Sequence, residues 1–176
     1  TWAEDVSSHA EIERYLHILA AAAPARTRLE SYGKTYEGRP LYYLIISSAE
    51  NIERLDEIRA NNLRLSDPRA TSPDEARKLI ADSPAIVWLA YSVHGNETSS
   101  SDAALITAYH LLADQREQTR TALQQLVVMI DPLQNPVAAK NDGVDRDATT
   151  VLALGARKEL VNFATEQDLT SALLRL

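Results

Sequence analysis

The stretch Ala85-Ile86-Val87-Trp88-Leu89-Ala90, set directly after Pro84, constrains this chain more than any other. It is apolar at every position and too short for a typical helix, so it predicts a strand covered on both faces, as in a parallel or mixed sheet flanked by helices. Two further short apolar runs fit the same sheet. Leu41 to Ser47, rich in Tyr and Ile, follows the turn-like Tyr36-Glu37-Gly38-Arg39-Pro40, and Leu126 to Ile130 ends at Asp131-Pro132;.

Helical patterns alternate with these strands. Ser8-His9-Ala10-Glu11 has the form of a capping box, after which Ile12, Leu16 and Leu19 recur at helical spacing up to Pro24;. Ile52, Leu55, Ile58 and Leu63 predict a second helix. Ser72-Pro73-Asp74-Glu75 opens a third with a cap residue, a proline at the first position and an acidic first turn;. Ser101 to Ala113, rich in Ala and Leu, predicts another. The expected class is therefore α/β, with a mixed central sheet flanked by helices. The 176 residues suit a single domain over positions 1–176;.

Composition removes several functions. A net charge of −7 opposes a phosphate-binding surface, so nucleic acid is not an expected partner;. With no Cys in the chain, any bound metal must use imidazole, carboxylate, carbonyl or water;. No apolar run reaches the roughly 18–20 residues that span a bilayer, and no membrane partner is expected;. The start at Thr1 instead of Met fits a mature protein after removal of a signal and equally a shortened chain; periplasmic or secreted location is the expectation taken from it;.

The apolar stretch at 85–90 delivers the chain to His94-Gly95-Asn96-Glu97. The carboxyl ends of strands are where open α/β sheets place their binding crevices. A gap of two residues lets both side chains turn toward one point if the chain makes a tight turn there, and Gly95 gives that turn its freedom;. Neutral imidazole and carboxylate are donors that zinc accepts. A His-x-x-Glu pair is also an ordinary feature of polar loops, and these four residues alone leave both readings open.

Three segments together extend the pattern: Tyr32 to Leu41 with its Glu37-Gly38-Arg39, Val87 to Ser100 around His94-Gly95-Asn96-Glu97, and Ile130-Asp131-Pro132-Leu133-Gln134-Asn135-Pro136. In this order they resemble the M14 zinc carboxypeptidases over roughly Leu29 to Pro136. The resemblance implies a zinc carboxypeptidase-like domain lacking its C-terminal portion. It implies zinc held by His94 and Glu97, a peptide substrate, and Asn135 as a residue that shapes the loop beside the pocket. In such sites three protein ligands leave one position for water.

The pattern is also interrupted. Val137-Ala138-Ala139-Lys140 stands where the family continues Asp-Gly, and no His follows His110 to serve as the third ligand. His110 reads as a helix-face residue, and His9 and His17 as surface groups of the first helix;. Glu159 and Glu166 lie in a polar region and read as solvated, so no catalytic Glu is assigned;. Gly143-Val144-Asp145-Arg146 is faintly similar to the family's carboxylate-binding stretch. Arg146 is the candidate substrate-binding residue, its guanidinium fork suited to a carboxylate; the competing reading pairs it with Asp145 and Asp147 in a charged turn;.

The resemblance thus implies a zinc-dependent carboxypeptidase that releases C-terminal residues from peptides. Two alternatives accompany it: a non-catalytic, peptide-binding relative of the same fold, and an amidohydrolase of N-acyl amino acids.

Overall fold

The computed structural model describes residues 6–95 and 98–136. Four strands and six helices follow in the order α1 (His9–Ala22), β1 (Thr27–Lys34), β2 (Pro40–Ile46), α2 (Ala49–Glu53), α3 (Leu55–Ser66), α4 (Pro73–Asp82), β3 (Ala85–Ala90), α5 (Thr98–Ala113), α6 (Glu117–Gln125) and β4 (Leu126–Asp131). The strands form one mixed sheet in the order β1-β2-β4-β3. β2 runs antiparallel to both β1 and β4, whereas β3 and β4 are parallel, with Val87 opposite Val128 and Ala90 opposite Asp131.

Local chemistry explains the helix starts. The Ser8 side chain accepts from the Glu11 amide while the Glu11 carboxylate accepts from the Ser8 amide at 2.8 Å, the reciprocal pair that the sequence predicts;. Ser48 and Ser72 cap α2 and α4 with the side chain alone, accepting from the amides of Asn51 and Glu75;. The expected second helix is divided: the chain breaks at Arg54 between α2 and α3, and Leu63, counted in its apolar periodicity, is exposed.

Two layers of apolar packing sandwich the sheet unequally. On one face Leu44, Ile46, Val128 and Ile130 meet Ile12, Leu16 and Leu19 of α1 together with Ala104, Leu105, Ala108 and Leu111 of α5. On the other, Ile45 and Val127 pack against Ile52 of α2 and Leu55 and Ile58 of α3. Full burial of each such side chain contributes about 1.5–3 kcal/mol.

A buried polar knot ties the second layer to the sheet. The Ser47 hydroxyl donates to the carbonyls of Leu123 at 3.0 Å and Leu126 at 2.7 Å. The Asn51 amide donates to the carbonyls of Leu123 and Gln124 and to Ser47 Oγ at 2.9–3.2 Å. These bonds, with the Ser48 amide donating to the Leu123 carbonyl at 3.0 Å, hold the exit of β2 against the turn from α6 into β4;.

One expectation is corrected. Among the described residues β3 is not covered on both faces: it lies at the edge of the sheet they form, with Trp88 62% and Ile86 43% exposed. α2 and α3 pack over Ile45 and Val127 and leave the β3 end of that face open. An apolar run specifies a strand that can be buried, and only the neighbours decide whether it is.

Candidate functional site

The carboxyl ends of β3 and β4 lie side by side because the strands are parallel and in register at Ala90 and Asp131. Past the sheet the two chains stay bonded: the Tyr91 amide donates to the Asp131 carbonyl at 2.9 Å, the Gln134 amide to the Tyr91 carbonyl at 3.3 Å, and the Asn135 amide to the Ser92 carbonyl at 3.2 Å. The Asn135-Pro136 loop is thereby laced to the segment that enters the His94 turn. Arg39 fastens its far side, donating to the Pro136 carbonyl and pairing with Glu37 at 2.7 Å.

Between these anchors the backbone turns sharply. Ser92, 3% exposed, has φ +51°, the left-handed region that non-glycine residues enter at a cost;. Its amide donates to Ser100 Oγ on the first turn of α5 at 2.9 Å, and its hydroxyl donates to the His94 carbonyl at 3.4 Å. The turn leads His94 out of the sheet into solvent.

The His94 imidazole makes no hydrogen bond or ion pair among the described residues, and the residue is exposed. Glu97 and Arg146 lie outside the described residues. Among the described residues no three His, Cys, Asp or Glu side chains converge as a metal cluster. The fit to zinc is one of donor chemistry: an exposed imidazole at a strand end, with a carboxylate three positions on in the sequence;. His110 is exposed on α5, and His17 lies edge-on to Tyr42 with ring centroids 5.6 Å apart. His9 is half-buried, its Nε2 2.9 Å from the Pro40 carbonyl.

A second polar group sits beneath this edge. Asp131 is 2% exposed; the Tyr32 hydroxyl donates to its Oδ2 at 3.1 Å, and its Oδ1 has no hydrogen-bond partner among the described residues. Burial pushes the Asp131 carboxyl above the ordinary carboxylate range, opposed by the neighbouring polar groups of Gln134, Tyr32 and Leu133;. Tyr32, stacked on Tyr43, is pushed up to about 12, first by burial and then by the charge of Asp131. The two stand 99 positions apart in the chain, each within one of the segments that carry the resemblance.

Comparison with known proteins follows this geometry. The family model described as zinc carboxypeptidase matches residues 12–165. No functionally curated relative matches the chain. Among solved structures, carboxypeptidase A from Helicoverpa armigera aligns at TM-score 0.58 and 22% identity, over 83% of this chain and 28% of its own. The bovine thrombin-activatable fibrinolysis inhibitor, solved with tick carboxypeptidase inhibitor, aligns at 0.52 and 16%, over 78% and 34%. A metallo-carboxypeptidase from Burkholderia cenocepacia aligns at 0.51 and 14%, over 90% and 39%. The chain therefore spans between 28% and 39% of the length of these structures, and at such identities the likeness is one of fold.

Proposed function

The chain belongs to the zinc carboxypeptidase family, and from that membership we propose a zinc-dependent carboxypeptidase site built around His94 and Glu97, acting on the C-terminal residue of peptides. The observation that carries this reading is the exposed His94, led out of the sheet by the Ser92 turn beside the Asn135-Pro136 loop.

In this reading His94 supplies neutral nitrogen and Glu97 carboxylate oxygen to the metal. Bound zinc supplies two things: a water whose pKa falls to about 7, and polarisation of the scissile carbonyl. The chain's own contribution is positional. The lacing of residues 91 and 92 to 134 and 135 fixes the base of the ligand turn against the sheet. Arg146 is proposed to meet the substrate's terminal carboxylate, since a guanidinium fork can bond both oxygens of that group.

The test uses a longer protein that contains this chain and supplies the third His ligand and the catalytic Glu that no residue here is assigned to, in the presence of zinc and three substrates: a peptide with a free C-terminus, the same peptide amidated, and an N-acyl amino acid. Release of the terminal residue from the free peptide alone is expected. Equal cleavage of the amidated form, or hydrolysis of the acyl amino acid alone, would overturn the carboxypeptidase reading.

A further inference from the structure

The loop after β4 is gripped from two sides. Along one, the Gln134 amide donates to the Tyr91 carbonyl at 3.3 Å and the Asn135 amide to the Ser92 carbonyl at 3.2 Å. Along the other, the Arg39 guanidinium, its side chain 19% exposed, donates to the Pro136 carbonyl and pairs with Glu37 at 2.7 Å. Arg39 is itself fixed by the turn that joins β1 to β2. The Thr35 amide donates to its carbonyl at 2.8 Å, the Thr35 hydroxyl accepts from its amide at 3.2 Å, and Gly38 makes the turn at φ +82°;. Within the loop Leu133 and Pro136 are buried, whereas Asn135 is exposed. One polar residue is thus held out at the carboxyl ends of β3 and β4, where sheets of this kind place their crevices;.

We propose that Arg39 is a positioning residue for peptide binding: it straps the Asn135-Pro136 loop to the hairpin, so that a wall of the crevice is formed before substrate arrives. This rests on the carboxypeptidase reading above. The strap joins positions 97 apart, and a guanidinium already tied to a carboxylate makes a charge-assisted bond to the carbonyl, stronger than a neutral one;. Without it the hairpin no longer holds the far end of the loop, and a peptide must order that loop as it binds. Such a loss falls on binding more than on the chemical step.

Two measurements test this. In the 176-residue chain, Arg39→Met should speed hydrogen exchange at the Gln134 and Asn135 amides about tenfold and leave the β4 amides of Val128 and Ile130 unchanged;. In the longer protein of the preceding test, the same substitution should raise KM for the free peptide about tenfold, the equivalent of re-ordering roughly one residue's backbone, with kcat changed less than about twofold. Arg39→Lys, which keeps the charge without the fork, should lie between the parent and the Met variant in both measurements. Unchanged exchange at Gln134 and Asn135 overturns the strap, and so does an equal acceleration throughout β4, which marks a general loss of stability. A loosened loop with unchanged KM, or a fall confined to kcat, overturns the role in binding. If the unaltered longer protein releases no terminal residue, the carboxypeptidase reading fails and the role in binding with it, while the exchange measurement still decides whether the strap exists.

Discussion

At the scale of single residues, Asp131 is the group whose protonation has the clearest consequence. Its carboxyl is buried, with one oxygen lacking a partner among the described residues, and burial raises its pKa in the folded chain. The folded state thus holds the proton more tightly than the unfolded state. The contribution to stability is full below the ordinary carboxylate range and is lost as pH rises through the raised value. Asp131→Asn should remove this loss: urea unfolding at pH 4 and pH 7 should show the variant gaining on the parent chain as pH rises. An identical pH difference in both chains would contradict it. His94 and Glu97 stood out in the sequence because a ligand pair at a strand end is a local pattern. Ser92, Ser100 and the Tyr32–Asp131 pair did not, because a backbone dihedral and a bond across 99 positions leave no local trace.

Among the elements, the junction of β2, α2 and the α6–β4 turn depends on one amide. Asn51 is 5% exposed and donates to the Gln124 carbonyl at 2.9 Å, as well as to Leu123 and Ser47. Asn51→Ala is expected to cost about 1–3 kcal/mol, measured by denaturant unfolding, because the buried Leu123 carbonyl and Ser47 hydroxyl lose their shared donor;. A cost near zero would show that the knot does not hold the layer. The capping box at Ser8 and the serine cap of α4 were legible because a cap is a short-range contract between side chain and backbone, whereas the Ser48 cap of α2 was not read;. β1 and α6 were not anticipated. β1 has Glu30, Ser31 and Lys34 on a half-exposed edge, and α6 is mostly polar, so neither shows an apolar period. The break at Arg54 was hidden because Ile52, Leu55 and Ile58 keep their spacing across it.

At the scale of the molecule, the described residues form a four-stranded mixed sheet whose two layers are unequally filled. Its class was legible because three apolar runs alternate with helical patterns. The position of β3 at an edge was not, since edge and centre differ only in what lies beside them. This predicts opposite responses from two apolar strand residues. Ile130→Ala, at a fully buried position, should cost about 2–5 kcal/mol;. Trp88→Thr, at a position 62% exposed, should change unfolding free energy by no more than about 0.5 kcal/mol;. A loss at Trp88 comparable to that at Ile130 would mean that the open face is covered. Among the described residues no helix is long and apolar enough to cross a membrane, and the exposed strand is a sheet edge.

The central claim is that the turn after β3 holds zinc, and metal content measures it most directly. After dialysis against a defined zinc concentration, elemental analysis of the 176-residue chain should find one zinc per chain, lost in His94→Ala and in Glu97→Gln while the far-ultraviolet circular dichroism of each variant stays that of the parent. Stoichiometric zinc retained by either folded variant would contradict the claim.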